Sequence, residues 1–266
     1  MRLSNKVALI TGAASGVEGK LMGFGGAAGR LFALEGAKVV ITDVNDDDGE
    51  RTAAEIRQKG GDAVFCHLDV TDESQWIAAV DTAISQYGLL NILVNNAGTS
   101  ARYTIEDTSI DAWDAQMNVH AKGTFLGTKH VIPEMRRAGS GSIINISSIY
   151  GLVSPRQDIY DFRRKDGKTY FKPAAYSISK SSIYNLTRYL ATYWAKDNIR
   201  VNTICPGWMD TDGETVIQKK FHNADDDWVK KAEKNQPFGR LLKPDEIAKA
   251  VVFLCSKDSG LMTGSI

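Results

Sequence analysis

The sequence predicts an α/β fold in which helices cover both faces of a doubly wound parallel sheet. Three observations favour this class: short apolar runs alternate with helical patterns, a glycine-rich turn follows the first run, and no linker or low-complexity tract interrupts the chain. Apolar strands separated by helices are typical of a parallel sheet that is buried on both faces. We therefore expect a single domain over residues 1–266.

The predicted elements alternate regularly along the chain. Short runs rich in β-branched residues indicate strands, and longer runs with apolar residues at helical spacing indicate helices. The expected strands are 6–11, 38–42, 63–66, 91–94, 142–146 and 200–203. The expected helices are one that ends at 35, then 46–59, 73–87 and 110–137, and one that begins at 174.

Composition excludes several functional classes. Lys plus Arg and Asp plus Glu both total 32, so no overall field attracts nucleic acid or an anionic membrane. The first apolar run begins at Val7, which leaves no room for a targeting segment, and no run approaches membrane-spanning length. Three dispersed cysteines form no disulfide framework, and four histidines show no metal-ligand spacing. We expect a cytoplasmic protein with a small-molecule substrate and without a metal, nucleic-acid or membrane partner.

The glycine-rich turn at 11–16 (TGAASG) predicts a dinucleotide site, because glycines let the backbone approach a pyrophosphate at a helix N-terminus. Gly19 is one candidate for the usual third glycine. We favour Gly25 and treat 17–23 as an insertion, because Asp43 then lies 18 residues beyond the motif (43 − 25), near the expected ~20. The residues expected to approach the phosphates are Gly12, Ser15, Gly16 and Gly25.

Asp43, which ends the second predicted strand, favours NAD as the cofactor. Its carboxylate can cap the next helix, or it can accept hydrogen bonds from the hydroxyls of an adenosine ribose. A carboxylate at this place repels a 2′-phosphate, so NAD is preferred over NADP; Lys20 is a nearby cation that would weaken the preference. Ligands bind outside the carboxyl ends of such strands, so residues after the later strands are further candidates. They are Asp69, Val70, Asn96, Ala97, Gly98, Pro206, Gly207 and Thr211.

Tyr176 and Lys180 are the first candidates for chemistry. They lie four residues apart on a predicted helix, so both project from one face and an ammonium lies beside a phenol. A cation in a partly dry pocket favours the phenolate, although a solvated lysine beside a half-buried tyrosine has the same spacing.

Ser148 ends a strand. The GxSxG motif and an activating histidine are missing around it, so a hydrolase is disfavoured. Asn118, inside a helix, either faces solvent or holds a water near the site.

Taken in order, the motifs TGAASG, LDVT, NNAG, YSISK and PGWMDT, with Asp43, Asn118 and Ser148, resemble the short-chain dehydrogenase/reductase family over nearly the whole chain. The resemblance implies a Rossmann-like fold and hydride transfer to or from a nicotinamide cofactor. It implies that Tyr176 is the general acid/base and that Lys180 lowers its pKa and binds the nicotinamide ribose. It also implies that Ser148 orients the substrate oxygen and that Asn118 maintains the proton relay.

The chain departs from the family pattern both in the glycine-rich turn and in the segment before Tyr176. Besides the insertion at 17–23, the segment 154–173 is longer than usual and carries six cations against three acids. It is either a solvated flap or subunit contact, or a cover that selects a polar or anionic substrate through Arg163 and Arg164. The stretch 211–240 resembles the family's substrate lid. The possible pocket walls are Trp208, Phe221, His222 and Trp228.

These observations predict an NAD-dependent oxidoreductase that interconverts a secondary alcohol and its ketone. The expected substrates are polyols, sugars, sugar acids or cyclic alcohols, and the resemblance implies a homotetramer or homodimer. The alternatives are an NADPH-dependent carbonyl reductase and a non-catalytic NAD-binding sensor or scaffold. Fold-level resemblance does not name the substrate.

Overall fold

A computed structural model describes residues 1–14, 23–100, 103–163, 172–211 and 226–266, with backbone alone for 161–163 and 226–228. Within these ranges six strands form one parallel sheet in the order β3-β2-β1-β4-β5-β6. The strands are β1 (Val7–Thr11), β2 (Lys38–Asp43), β3 (Asp62–His67), β4 (Ile92–Asn95), β5 (Gly141–Ile146) and β6 (Ile199–Ile204). The predicted α/β class with a doubly wound, Rossmann-like sheet is confirmed.

Both faces of the sheet are covered, and the central strand shows why its sequence is apolar throughout. Every residue of β1 is buried. Ala8 and Ile10 contribute to the core on one face, and Val7 and Leu9 contribute to the core on the other. Val7, Leu9 and Ile10 each contribute about 1.5–3 kcal/mol when they are fully removed from water, so a continuous apolar run is stable only between two helical layers.

Helices surround this sheet in the predicted order. They are α1 (Phe24–Leu34), α2 (Asp46–Gln58), α3 (Glu73–Tyr87), α4 (Ile110–Met117), α5 (Gly123–Arg137), α6 (Ala174–Trp194), α7 (Asp226–Lys234) and α8 (Pro244–Cys255). Local signals set their ends: the Asn45 side chain caps α2 and the Asp72 side chain caps α3, which ends at left-handed Gly88. Along the described parts of the chain, none of these helices combines the length and apolarity that a membrane crossing requires.

The helix predicted as continuous over 110–137 contains a π turn at Asn118–Lys122, between α4 and α5. A π turn uses i→i+5 hydrogen bonds and so holds more residues per turn than an α-helix. Side chains beyond its first residues are therefore rotated relative to the spacing that a regular helix predicts. The turn lies beside the carboxyl edge of the sheet, where it decides which side chain enters the site.

A buried chain of polar side chains fastens α6 to the sheet. The Asn95 Nδ2 atom donates to Asn145 Oδ1 at 2.9 Å, and Asn145 Nδ2 donates to Thr187 Oγ1 at 2.9 Å. The Thr187 hydroxyl is 2.6 Å from that of Thr203 on β6. Because buried polar groups are costly unless they are paired, this chain fixes the axial position of α6 against β4, β5 and β6.

The strand β6 has a further neighbour near the end of the sequence. Gly264 N donates to Val201 O at 2.7 Å, and Thr203 N donates to Ser265 O at 2.9 Å. Residues 263–265 thus run beside β6, on the edge that β5 does not occupy.

Candidate active site

A cleft of about 970 Å³ opens at the carboxyl ends of the strands, where the sheet order changes direction at β1 and β4. Eleven of the predicted cofactor contacts line it: Gly12, Gly25, Asp43, Asp69, Val70, Asn96, Ala97, Gly98, Pro206, Gly207 and Thr211. Ser15 and Gly16, with nearly all of the 17–23 insertion, lie outside the described residues. The cleft volume is at the upper end of the ~300–1,000 Å³ found for small-molecule sites.

Gly12 and Gly25, on the two sides of the phosphate cradle, are packed too closely to carry a side chain. Gly12 has φ +63°, and a Cβ there would lie 2.8 Å from Ala97 Cα. A Cβ on Gly25 would lie 2.3 Å from Gly12 O. The Asn96 Nδ2 atom donates to Thr11 O at 2.8 Å and to Gly12 O at 2.9 Å, which joins the turns after β1 and β4. This cradle brings the start of α1 and bare backbone to the cleft, as a pyrophosphate site requires.

Asp43 places a carboxylate at the same end of the cleft. Its Oδ2 accepts a hydrogen bond from Ala14 N at 3.0 Å, and its Oδ1 accepts one from Asn45 N at 3.2 Å. The side chain that caps α2 is that of Asn45, so the capping alternative for Asp43 does not hold. Asp48 lines the cleft nearby and adds a second acid to this end.

Tyr176 and Lys180 lie on the first turns of α6, which begins after Pro173. Both line the cleft, and the Lys180 Nζ atom lies 5.9 Å from the centroid of the Tyr176 ring. Lys180 is only 5% exposed, and its Nζ donates to Ile146 O at 2.9 Å. Burial, followed by the charge of Lys172, lowers the pKa of Lys180 to about 7. Burial thus makes the ammonium form of Lys180 less stable than it is in water.

The two serines after β5 have different surroundings. Ser147 Oγ donates to Lys180 O at 2.7 Å and so holds α6 against the strand end. Ser148 is buried in the cleft wall, its Oγ accepts from Tyr150 N at 3.2 Å, and its carbonyl accepts from the Tyr184 hydroxyl. The Ser148 hydroxyl keeps its own proton to donate. The structure thus brings Ser148, Tyr176 and Lys180 into one cleft.

The structure corrects the prediction for Asn118. This side chain is exposed and is not among the residues that line the cleft, whereas His120, two residues later, is 1% exposed and lines it. The His120 and Tyr176 rings meet edge to face, with centroids 5.5 Å apart. Residues two positions apart point to nearly opposite sides of a helix, and in this π turn it is His120 that faces the cleft.

Three hydrogen bonds determine which nitrogen of His120 carries the proton and connect the ring to Tyr176. Its Nε2 accepts from Thr99 N at 3.0 Å, so Nδ1 carries the proton and donates to Ser179 Oγ at 2.8 Å. Ser179 Oγ in turn donates to Tyr176 O at 2.9 Å. Burial, then the charges of Lys180 and Lys172, lowers the pKa of His120 to about 2. The imidazole is neutral at ordinary pH and holds the backbone of Tyr176.

Lys172 is a site residue that the sequence analysis counted only among the cations of 154–173. Its Nζ lies 4.0 Å from the centroid of the Tyr176 ring and 3.0 Å from Ser100 Oγ, and the side chain lines the cleft. A signal was present: Lys172, Tyr176 and Lys180 are spaced by four residues. The first of them precedes the helix, however, and helical spacing alone does not place it.

The segments 154–173 and 211–240 meet beside the cleft. Arg156 Nη1 donates to Asn235 Oδ1 at 2.7 Å, just beyond α7. Trp208 Nε1 donates to the Tyr150 hydroxyl at 3.0 Å, and both of these side chains line the cleft. The side chains of Arg163 and Trp228, and residues Arg164, Phe221 and His222, lie outside the described parts, so their predicted roles stay predictions.

Comparison with known proteins identifies the family of the chain. A family model described as "Enoyl-(Acyl carrier protein) reductase" matches residues 19–266. Cyclopentanol dehydrogenase of Comamonas testosteroni is 37% identical over 99% of this chain and 95% of its own length. Trans-4-hydroxycyclohexanecarboxylate dehydrogenase of Sinomonas cyclohexanicum is 37% identical over 99% and 91%. A 3-alpha-(or 20-beta)-hydroxysteroid dehydrogenase of Mycobacterium tuberculosis is 37% identical over 99% and 87%. The chain is thus an oxidoreductase that belongs to the short-chain dehydrogenase/reductase family.

Proposed function

We propose that this protein is an NAD-dependent dehydrogenase that oxidises a secondary alcohol, most readily one carried on a ring, to its ketone. The observation that carries the proposal is the meeting of Ser148, Tyr176 and Lys180 in one cleft with the glycine-rich turn. The names of the three relatives, which refer to cyclopentanol, a hydroxycyclohexane acid and hydroxysteroids, support a cyclic alcohol.

The proton chemistry belongs to Tyr176. As a phenolate it takes the proton of the substrate hydroxyl, and in the reverse direction the phenol returns it. Ser148 donates a hydrogen bond to the substrate oxygen and so orients the reacting carbon. The nicotinamide supplies the hydride acceptor. Lys180 favours the phenolate by its charge, and its buried ammonium would hold the nicotinamide ribose of a bound cofactor by hydrogen bonds.

The preference for NAD rests on Asp43. In Asp43→Asn the charge is lost while the shape of the side chain is kept, so the ribose loses a charge-assisted acceptor and a 2′-phosphate meets less repulsion. We expect kcat/KM with NAD to fall and kcat/KM with NADP to rise, so that the ratio of the two changes by about 100-fold. Steady-state rates with both cofactors measure it. Asp47→Asn, an exposed acid of α2 outside the cleft, is the matched control. An unchanged ratio in Asp43→Asn would remove this assignment.

The position of Lys172 supports a preference for anionic substrates, as the basic composition of 154–173 suggested. NADH formation with cyclohexanol and with trans-4-hydroxycyclohexanecarboxylate compares a neutral and an anionic alcohol on the same ring. We expect kcat/KM to be more than tenfold higher for the carboxylate, which corresponds to about 1.4 kcal/mol. Equal values for the two alcohols would assign 154–173 to a flap or a subunit contact instead. No NADH with any ring alcohol would contradict the proposed function itself.

The outer faces of α5 and α6 support a homodimer or homotetramer. Phe125 on α5 and Ile178, Tyr189 and Tyr193 on α6 are all exposed in the single chain. The rings of Tyr189 and Tyr193 stack, with centroids 5.9 Å apart, and form an apolar surface. A second copy of the chain is the partner that we propose for it, since large exposed apolar patches mark protein interfaces.

A cytoplasmic location remains part of the proposal. Cys66, Cys205 and Cys255 are thiols rather than members of a disulfide. Thiols of this kind are typical of a reducing compartment.

A further inference from the structure

The ammonium of Lys172 lies closer to the Tyr176 ring than that of Lys180 does. The distances from the two Nζ atoms to the ring centroid are 4.0 and 5.9 Å. Lys172 is 8% exposed, so water screens its charge much less than that of a surface lysine. A cation this near to the face of a phenol is attracted to the ring, and the attraction grows when the ring carries the negative charge of a phenolate.

The backbone of Lys172 is held by a side chain from another part of the 154–173 segment. Lys172 N donates to Gln157 Oε1 at 3.0 Å, and Gln157 Nε2 donates to Lys172 O at 3.2 Å. At the other end, the Nζ atom donates to Ser100 Oγ at 3.0 Å. Gln157 and Ser100 thus fix both ends of the lysine, so its place over the ring is built into the structure.

The titratable groups that surround Tyr176 include a second cation and a neutral imidazole. Lys180 approaches from α6, and His120 approaches from the π turn as a neutral imidazole. The hydroxyls of Tyr150 and Tyr160 are 3.3 Å apart, and both residues line the same cleft. The carboxylates that line the described part of the cleft are those of Asp43, Asp48 and Asp69, which follow β2 and β3. The charge of Lys172 also contributes to the lowered pKa of Lys180, so it acts across the site.

We propose that Lys172 is a second cation of the acid/base site, which stabilises the phenolate of Tyr176 from the side of the 154–173 segment. The proposal rests on the proposed function, because it assigns a helper to the same tyrosine. Lys172 acts through Tyr176 rather than on the substrate's reacting atoms, so it is a positioning and electrostatic residue. It makes the long segment before α6 part of the catalytic machinery.

A titration of Tyr176 tests the proposal without turnover. The ultraviolet absorbance of tyrosinate is followed against pH in the parent protein and in Tyr176→Phe, and their difference isolates this phenol among the nine tyrosines. The same difference is then measured in the Lys172→Met background. We expect the Tyr176 midpoint to move upward by about one pH unit in Lys172→Met, because the phenolate loses a cation. Lys172→Arg, which keeps the charge, is expected to restore most of the shift.

Two further variants complete the test. Lys196→Met removes an exposed lysine after α6 and is expected to leave the midpoint unchanged. Gln157→Leu keeps Lys172 but removes the two hydrogen bonds that hold its backbone, so it is expected to raise the Tyr176 midpoint by a smaller amount. This variant replaces Lys172→Met if Lys172→Met does not fold. A Tyr176 midpoint that is the same in Lys172→Met, Gln157→Leu and the parent overturns the proposal, whatever the substrate proves to be.

Turnover gives a second readout. The acidic limb of the kcat/KM profile for alcohol oxidation is expected to move upward with the midpoint. Lys172→Met should then be about tenfold slower one unit below the parent's midpoint and should approach the parent rate at high pH. A structural defect would lower the whole profile without moving its limb, and that result would also contradict the proposal.

Discussion

Tyr176→Phe is expected to lower kcat for alcohol oxidation by about 10³-fold or more, because the only group removed is the hydroxyl that exchanges the proton. The affinity for NAD should change little, since the ring and its contacts with His120 and Lys172 remain. Steady-state rates with a ring alcohol, together with calorimetric binding of NAD, measure the two effects separately.

Tyr189→Phe provides the matched control for Tyr176→Phe. Tyr189 lies on the same helix but is 66% exposed and does not line the cleft, so its loss should leave turnover intact. If Tyr176→Phe kept the parent rate, another group would have to carry the proton. If the parent protein bound NAD but never turned over, the alternative of a sensor or scaffold would replace the dehydrogenase.

Lys180→Met is expected to be less active than the parent but more stable in the absence of cofactor. Activity at pH 7 should fall by about 100-fold, because the phenolate of Tyr176 loses a nearby cation that stabilises it. Stability should rise by roughly 2 kcal/mol. Removing the buried lysine, whose pKa is about 7, removes a desolvation penalty from the folded state. This penalty is larger than the free energy of the hydrogen bond to Ile146 O that is lost. Turnover assays and urea unfolding of the apo protein measure both.

The pH dependence of this stability difference identifies its cause. The pKa of Lys180 is about 7 in the folded chain and starts from 10.5. Between these values the unfolded chain holds the extra proton, so the stability of the parent rises with pH. The advantage of Lys180→Met should therefore be largest near pH 7 and should shrink at pH 9. An advantage that is equal at both pH values would show that packing, not ionisation, is responsible.

The sequence predicted the fold well because the local pattern of apolar residues is sufficient to identify the strands. The run of β1, VALIT, is buried at all five positions, and only a sheet covered on both faces accommodates it. The spacing of Tyr176 and Lys180 likewise placed both residues on one helix face, because α6 is regular from Ala174 to Trp194.

The sequence failed where the backbone departs from regular spacing. Asn118 was assigned a role by resemblance to the family's motifs, but in the structure it is exposed and His120, from the same π turn, meets Tyr176 instead. Lys172 lies before α6, in a segment with no repeating pattern, and its place is set by contacts with Gln157 and Ser100 that the local sequence does not reveal. Local spacing predicts neighbours on regular elements, whereas contacts between distant segments depend on the complete fold.

The pair formed by Gln157 and Lys172 also has a consequence for how this segment can change. The two residues are 15 positions apart, and their hydrogen bonds close the intervening chain into a loop whose ends are already joined. The entropy of loop closure grows slowly with length, by about 0.6 kcal/mol for each doubling. We therefore expect changes of length between Tyr160 and Lys172 to cost little in loop-closure entropy, provided that the buried Ile159 and Tyr160 are kept. Grafting at this place is expected to leave the reaction of Tyr176 intact, and rates with a panel of alcohols would measure its effect on substrate preference.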